Sequence, residues 1–296
     1  MNKKFIGFFC AVFLFVLLVF LSGRVLITDK ASPCGVSRQI QYSFTLTNKH
    51  ARAIENVALW VYVPVKETAT QVCKSIEASH PYELITDACG NRILYFSFDD
   101  MPPYASQIVS LKSNLRVSER PAPVADDRGV SWFLKPEPFV ESDHPALVAR
   151  AQALKKSDRL ATAESFFKWV STHIQYSGYT GPEQGAWHAY VHRSGDCTEY
   201  MDLFAALCRA GGIPCRRMGG YICSKSKVVT GSEYHNWAEF YLDGKWHIAD
   251  PQNRRFMENP DAYIAVNIIS SQCSNELDNC NRFRVQGNGI DVKMNS

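Results

Sequence analysis

Three residues of this sequence have the types and chain order of a thiol nucleophile, its base and a residue that orients the base. They are Cys197, His235 and Asp250. A cysteine attacks as the thiolate, and a free thiol has a pKa of about 8.5, so activation requires a nearby imidazolium or the positive end of a helix. A carboxylate beside the histidine would fix the tautomer of the ring and stabilise its charged form. The simpler alternative for Cys197 is a buried thiol that packs as a small apolar residue.

The residues that follow Cys197 predict a helix that begins at this cysteine. Apolar side chains recur with the spacing of one helix face: Tyr200, Leu203, Phe204 and Leu207. Gly211 and Gly212, with Pro214 just beyond, indicate the end of the helix. Cys197 is therefore expected in the first turn, where backbone N–H groups have no partner within the helix.

The residues around His235 and Asp250 predict a β-hairpin. Residues 233–242 alternate as expected of a strand, and Asp243-Gly244 is a strong signal for a two-residue turn. If the two strands pair directly across this turn, Asp250 lies diagonally opposite His235 and within reach of its side chain. The hairpin register alone is thus expected to bring a carboxylate beside the imidazole.

Three separated motifs, in order, resemble the transglutaminase-like superfamily. They are carried by residues 195–221, 235–239 and 246–251, and the resemblance extends over roughly 161–256. It implies a papain-like α+β core in which Cys197 is the nucleophile, His235 the general base and acid, and Asp250 the residue that orients His235. The family includes cross-linking transglutaminases, peptidases, amide hydrolases and members that have lost catalysis. Because this chain keeps all three positions, the resemblance favours an enzyme.

The chain as a whole is predicted to be an α+β protein with two folded domains. Its 296 residues are 46% hydrophobic and 21% charged, as is typical of globular proteins. Alternating patterns and turns predict a β-sandwich-like domain over 35–120. Prolines predict an extended linker over 121–145. The helical patterns and the motifs then predict a transglutaminase-like catalytic domain over 146–296.

The N-terminus indicates export. Lys3 and Lys4 precede an apolar run without charges at 5–21, so residues 1–24 are predicted to be a signal peptide or a membrane anchor. We favour an uncleaved anchor because Leu21 is bulky where a cleavage site requires a small residue. In either case the positive-inside rule places the body outside the cytosol, as a membrane-anchored periplasmic or extracytoplasmic protein, or as a secreted one if the signal is cleaved.

Ten cysteines fit an exported protein with some disulfides and a free reactive thiol. Cys197 is the candidate for the free thiol. Cys73 with Cys89, and Cys273 with Cys280, are candidate pairs, and several unpaired core thiols are the alternative.

The predicted reaction is cleavage or transfer of an acyl group at a peptide or carboxamide bond through a thioester on Cys197. The N–H of Cys197 is one expected donor to the oxyanion, and Gln184, Trp187 and Tyr176 are candidates for the second. Hydrolysis is favoured, with protein-glutamine cross-linking and non-catalytic peptide binding in the cell envelope as the alternatives.

The expected partner is a peptide or protein substrate, for which the cell envelope is a reasonable source, and no cofactor is expected. His188 and His192 are spaced as two metal ligands on a helix, but no nearby cysteine or carboxylate completes a site, so no metal is predicted. A net charge of +3, dispersed along the chain, does not favour nucleic acid.

Overall fold

The computed structural model describes residues 35–123, 129–179, 181–277 and 282–295. The predicted signal or anchor at 1–24 lies outside these ranges and stays a prediction. Within them, none of the helices has the length and apolar character needed to cross a membrane. The strands are β1 (Val36–Asn48), β2 (Ile54–Val63), β3 (Gln71–Ala78), β4 (Glu83–Thr86), β5 (Arg92–Met101), β6 (Ser106–Val117), β7 (Gln175–Tyr176), β8 (Ser194–Gly195), β9 (Cys215–Ile222), β10 (Lys227–Val228), β11 (Tyr234–Leu242), β12 (Lys245–Asp250), β13 (Arg255–Phe256), β14 (Tyr263–Ile269), β15 (Phe283–Gln286) and β16 (Ile290–Met294). The helices are α1 (Pro145–Leu154), α2 (Arg159–His173), α3 (Gly185–His192) and α4 (Cys197–Ala210).

The N-terminal strands form two sheets that pack face to face. One sheet has the order β10-β1-β6-β3, with β16 also paired to β1, and the other has the order β15-β2-β5-β4. Alternate residues of β1 are buried between the sheets: Ile40, Tyr42, Phe44 and Leu46. They pack in one core with Leu59 of β2 and Phe96 of β5. This is the period-two burial that the alternating sequence predicts.

The last two strands join this sandwich. β15 pairs with β2, and β16 pairs with β1. The sequence of residues 282–293 predicts added strands, but no local pattern indicates that they pair with the N-terminal sheets. The division into domains at 35–120 and 146–296 stays a prediction. β15 and β16 belong to the second of these ranges but pair with strands of the first, so the sheets do not follow chain order.

The second part of the molecule is a five-stranded sheet of order β13-β12-β11-β9-β14 with helices packed on it. Helix α4 lies against β11, where Phe204 and Phe240 are fully buried in the same core. The sequence patterns predict helices over 146–153 and 157–174, and α1 and α2 begin and end within two residues of these bounds. The prediction of an α+β protein with many strands is thereby confirmed.

Part of the predicted Pro-rich linker is packed rather than extended. Phe133 and Val140 are buried in the core clusters of the second sheet and its helices. The buried carboxylate of Glu137 lies 2.8 Å from the guanidinium of Arg209, on α4. The described part of this segment therefore has tertiary contacts, and Val130–Leu134 forms a short 3-10 helix.

The disulfide pairing differs from both local pairs proposed from the sequence. Cys89, in the turn between β4 and β5, is bonded to Cys273, just after β14. Cys73 is a free thiol buried in the sandwich core. The expected Cys73–Cys89 pair is wrong because Cys73 lies on the inward face of β3. The Cys273–Cys280 pair is wrong because Cys273 already has a partner.

Candidate active site

The first turn of α4 presents Cys197. The N-cap residue Asp196 accepts a hydrogen bond from the N–H of Thr198 at 2.8 Å, and the buried Glu199 carboxylate accepts one from the N–H of Asp196 at 2.9 Å. This capping box fixes the start of the helix at Cys197. A Cβ atom at position 195 would lie 2.3 Å from the Glu199 Cβ, so only glycine fits before the cap. Among the described residues, the N–H of Cys197 has no hydrogen-bond partner.

The hairpin that carries His235 and Asp250 has the predicted register. Leu242 pairs with Lys245, and Ala238 pairs with Ala249. The turn residues Asp243 and Gly244 both have positive φ angles, 49° and 77°, as a type I′ turn requires. The sequence prediction that this register brings the two side chains together is confirmed.

His235 and Asp250 are in direct contact. The Nε2 of His235 lies 2.8 Å from the Oδ2 of Asp250, and the His235 side chain is only 12% exposed. Asp250 engages one ring nitrogen, so Nδ1 is the nitrogen of His235 that it leaves free, and Cys197 is near enough to the ring to raise the pKa of His235. Asn236, the next residue of the strand, donates to the Thr198 hydroxyl at 2.9 Å. This bond ties β11 to the first turn of α4, next to Cys197.

Two residues that the sequence analysis did not identify hold the Asp250 carboxylate. The Tyr263 hydroxyl, on β14, donates to Oδ2 at 2.8 Å, and the side-chain amide of Asn253 donates to the same oxygen at 2.8 Å. The backbone N–H of Asn253 donates to Oδ1 at 3.1 Å. Because each of these bonds favours the ionised carboxylate, Asp250 stays charged although it is fully buried.

These contacts favour the ionised forms of both partners. Burial by itself would raise the pKa of Asp250, but the hydrogen bond from His235 and those from Asn253 and Tyr263 outweigh it, so this pKa is lowered. Burial by itself would lower the pKa of His235, but its hydrogen bond to Asp250 and the nearby Cys197 thiol raise this pKa to about 9. The geometry therefore favours an imidazolium held between a carboxylate and a thiol.

Cys197 opens into a cavity of about 450 Å³. Its walls come from the start of α4, from residues before α3, from residues on either side of His235, from the end of β14 and from Arg282. The wall residues are Tyr176, Tyr179, Gly181, Glu183, Asp196, Cys197, Thr198, Gly231, Ser232, Tyr234, Asn236, Ile269 and Arg282. Of the three candidates for a second oxyanion donor, Tyr176 lies on this wall. Gln184 and Trp187 are not among the described wall residues, and their backbone N–H groups donate to the carboxylates of Glu199 and Glu141. Their roles stay predictions.

A buried ion cluster lies beside this cavity. Arg217, on β9, pairs with Asp202 of α4 at 3.1 Å and also with Glu183 of the cavity wall. Glu137 lies 3.8 Å from Arg217. The cluster connects α4, β9 and the wall, and because a buried charge without its partner is costly, it holds these elements in one arrangement.

The region that carries this site is similar in sequence to known proteins. Residues 146–251 match the family model of the transglutaminase-like superfamily. The kyphoscoliosis peptidases of Mus musculus and Homo sapiens are each 27% identical to this chain over 101 residues, which are 31% of this chain and 15% of each relative. An uncharacterized protein of Mycobacterium leprae (strain TN) is 28% identical over 106 residues, which are 34% of this chain and 37% of that protein. The chain thus spans only a minor part of the length of these relatives.

The fold resembles a solved structure over most of its length. A candidate cysteine protease from Cytophaga hutchinsonii superposes with a TM-score of 0.60, covering 88% of this chain and 90% of that chain at 17% sequence identity. At this identity the similarity is one of fold. It covers far more of the chain than the 146–251 match.

Proposed function

We propose that the protein is a thiol hydrolase that cleaves peptide or carboxamide bonds through a thioester on Cys197, because residues 146–251, which carry the site, match the model of the transglutaminase-like superfamily. The single observation that supports this most strongly is the alignment of the three side chains. Cys197 lies at the start of a helix and lines a cavity of about 450 Å³, near enough to the His235 ring to raise its pKa, and Nε2 of that ring is 2.8 Å from a buried carboxylate.

The proposed reaction has two halves. The thiolate of Cys197 attacks the carbonyl carbon, and the free N–H of Cys197 donates to the resulting oxyanion. The C–N bond then breaks as the imidazolium of His235 protonates the departing amine, which leaves an acyl thioester. Water next attacks the thioester, His235 accepts its proton, and the C–S bond breaks to give a carboxylic acid and the free enzyme. Asp250 holds the charged ring of His235 throughout.

The nature of the acceptor is tested by product analysis. The full-length protein is incubated with a peptide mixture in ¹⁸O-labelled water, with and without a primary amine, and the products are identified by mass spectrometry. We expect carboxylic acids that carry ¹⁸O, with little amine adduct. A predominance of amine adducts would instead indicate a cross-linking transamidase. Cys197→Ala lacks the proposed nucleophile and gives the background level of product. If this variant keeps the biological effect of the protein, peptide binding without catalysis becomes the better explanation.

We also propose that the body acts outside the cytosol, on a peptide or protein substrate of the cell envelope. The apolar N-terminal run and the Cys89–Cys273 disulfide support export, because disulfides persist in oxidising compartments. The test is proteolysis of intact cells and of spheroplasts that express the full-length chain. We expect the body to be degraded from outside the cytoplasmic membrane. Protection of the body until that membrane is lysed would contradict export.

A further inference from the structure

Arg282 enters the cavity from a part of the chain that the family match does not include. It stands just before β15, and its carbonyl oxygen accepts a hydrogen bond from the Tyr62 N–H of β2 at 3.3 Å. Its backbone therefore belongs to the sandwich, while its side chain lines the same cavity as Cys197. The sandwich thus contributes a charged group to the site of the proposed chemistry.

The Arg282 side chain is held in place before any ligand binds. Its guanidinium lies 5.2 Å from the centre of the Tyr234 ring, and its Nη1 donates to the carbonyl of Gly231. Tyr234 in turn fits against β9 because residue 219 is glycine; a Cβ there would lie 2.0 Å from the Tyr234 hydroxyl. A cation fixed on an aromatic ring loses little side-chain entropy on binding a ligand.

The positive charge of Arg282 has no carboxylate partner among the described residues. The two acidic residues of the cavity wall are both engaged elsewhere. Glu183 pairs with Arg217, and Asp196 caps α4. Arg282 is the only cation among the described wall residues. A guanidinium has five donors in a planar fork, and the hydrogen bond to Gly231 uses one nitrogen of the fork.

We propose that Arg282 is a specificity residue that binds a carboxylate of the substrate while the neighbouring carbonyl carbon lies at Cys197. This inference rests on the proposed function. An arginine fork matches a carboxylate with two parallel hydrogen bonds, and the Arg282 side chain lines the cavity. The carboxylate is that of a glutamate or aspartate side chain or the free C-terminus of a peptide, and the experiment separates these two sources.

The first test needs no substrate. Iodoacetate and iodoacetamide carry the same reactive group and differ in charge, so the ratio of their rates at Cys197, mapped by mass spectrometry on the full-length protein, measures the local positive charge. We expect Arg282→Gln to lower the iodoacetate-to-iodoacetamide ratio by about three- to tenfold. Added salt should lower the ratio of the unmodified protein towards that of the variant. A ratio that Arg282→Gln leaves unchanged would overturn the proposal.

Arg284→Gln is the matched control. Arg284 is two residues further along, lies over the Trp60 ring and pairs with Glu276, and it does not line the cavity. We expect this variant to keep the ratio of the unmodified protein. Arg282→Lys keeps the charge without the fork, so it should keep the ratio even if Arg282→Gln is too unstable to purify.

The second test identifies the source of the carboxylate. Acetylated peptides that carry Glu, Gln or Lys at a single position are made with either a free or an amidated C-terminus. If a side chain is bound, Glu peptides should exceed Gln peptides in kcat/KM by about 10- to 100-fold with either terminus. If the terminus is bound, only the free acids should be preferred. Arg282→Gln should remove the preference while cleavage of neutral peptides continues, whereas cleavage without any acidic preference would refute the role of Arg282.

The two proposals fail in different ways. Absence of peptide cleavage in every variant, with the reagent ratio still dependent on Arg282, would reject the hydrolase and retain an anion-binding cavity. Cleavage that requires Cys197 but does not depend on Arg282 would reject only the inference drawn here.

Discussion

Replacing His235 with alanine should lower the rate of amide hydrolysis by about three to four orders of magnitude, nearly as much as replacing Cys197. The thiol and the imidazole act on the same two steps, since the ring activates the nucleophile and then protonates the leaving amine. The double variant Cys197→Ala/His235→Ala should therefore be scarcely slower than either single variant. Additive losses would show that the two side chains act independently, and would contradict the proposed mechanism.

The same pair can be examined without a substrate, through the pH dependence of Cys197 alkylation. The contacts with Asp250 and Cys197 overcome the effect of burial and raise the pKa of His235 to about 9, so the imidazolium persists between pH 6 and 8. We expect rapid labelling of Cys197 in this range. In His235→Ala the labelling should instead follow a free thiol, which deprotonates near pH 8.5.

His247 provides the control for this measurement. It lies on β12 of the same hairpin, against the Phe240 ring, and pairs across the hairpin with Phe240. His247→Ala should leave the labelling profile unchanged. If both variants changed the profile equally, a general loosening of the hairpin would explain the result better than loss of an ion pair.

The parts of this site that the sequence predicts are those determined by local rules. The start of α4 near Cys197 follows from the spacing of the apolar residues after it. The placement of His235 beside Asp250 follows from the Asp243-Gly244 turn, because a two-residue turn fixes the register of every later pair. Both predictions need only residues close together in the chain.

The sequence did not predict the contacts of Tyr263 and Arg282. These contacts depend on the order of strands in the sheets and on pairing between strands far apart in the chain, which no local pattern encodes. Tyr263 reaches Asp250 because β14 pairs with the far edge of β9, and Arg282 reaches the cavity because β15 returns to β2. Asn253 is different. It follows Asp250 by three residues and its backbone bonds that carboxylate, so the short turn after Asp250 was a local signal that could have identified it.

Asp250→Asn should reduce hydrolysis by about 10⁴-fold while the fold remains intact. In the native site the carboxylate accepts from Nε2 of His235, which leaves Nδ1 as the proton acceptor towards Cys197. An amide at position 250 can donate to Nε2, and the ring proton then lies on Nδ1, where it cannot take up the thiol proton. The loss should appear in kcat, and labelling of Cys197 between pH 6 and 8 should fall as it does in His235→Ala.

The stability of Asp250→Asn should depend on pH in a direction set by the two pKa shifts. The pKa of His235 is raised from 6.5 to about 9, so its contribution is full below about pH 6.5 and is lost as the pH rises through 9. The pKa of Asp250 is lowered from 3.8, so its contribution is present above about pH 4 and is lost in stronger acid. The difference in free energy of unfolding between the unmodified protein and the variant should therefore be largest near pH 5.5.

Urea unfolding of the full-length chain at pH 5.5 and at pH 9 measures this difference. A shift of one unit in pKa corresponds to about 1.4 kcal/mol, so we expect Asp250→Asn to cost about 1 to 3 kcal/mol more at pH 5.5 than at pH 9. Tyr263→Phe serves as the control, because it removes one hydrogen bond to Asp250 and leaves the charge pair, and its cost should vary little over this range. Equal costs of Asp250→Asn at the two pH values would mean that His235 is neutral in the folded protein. The helix terminus alone would then have to stabilise the thiolate of Cys197.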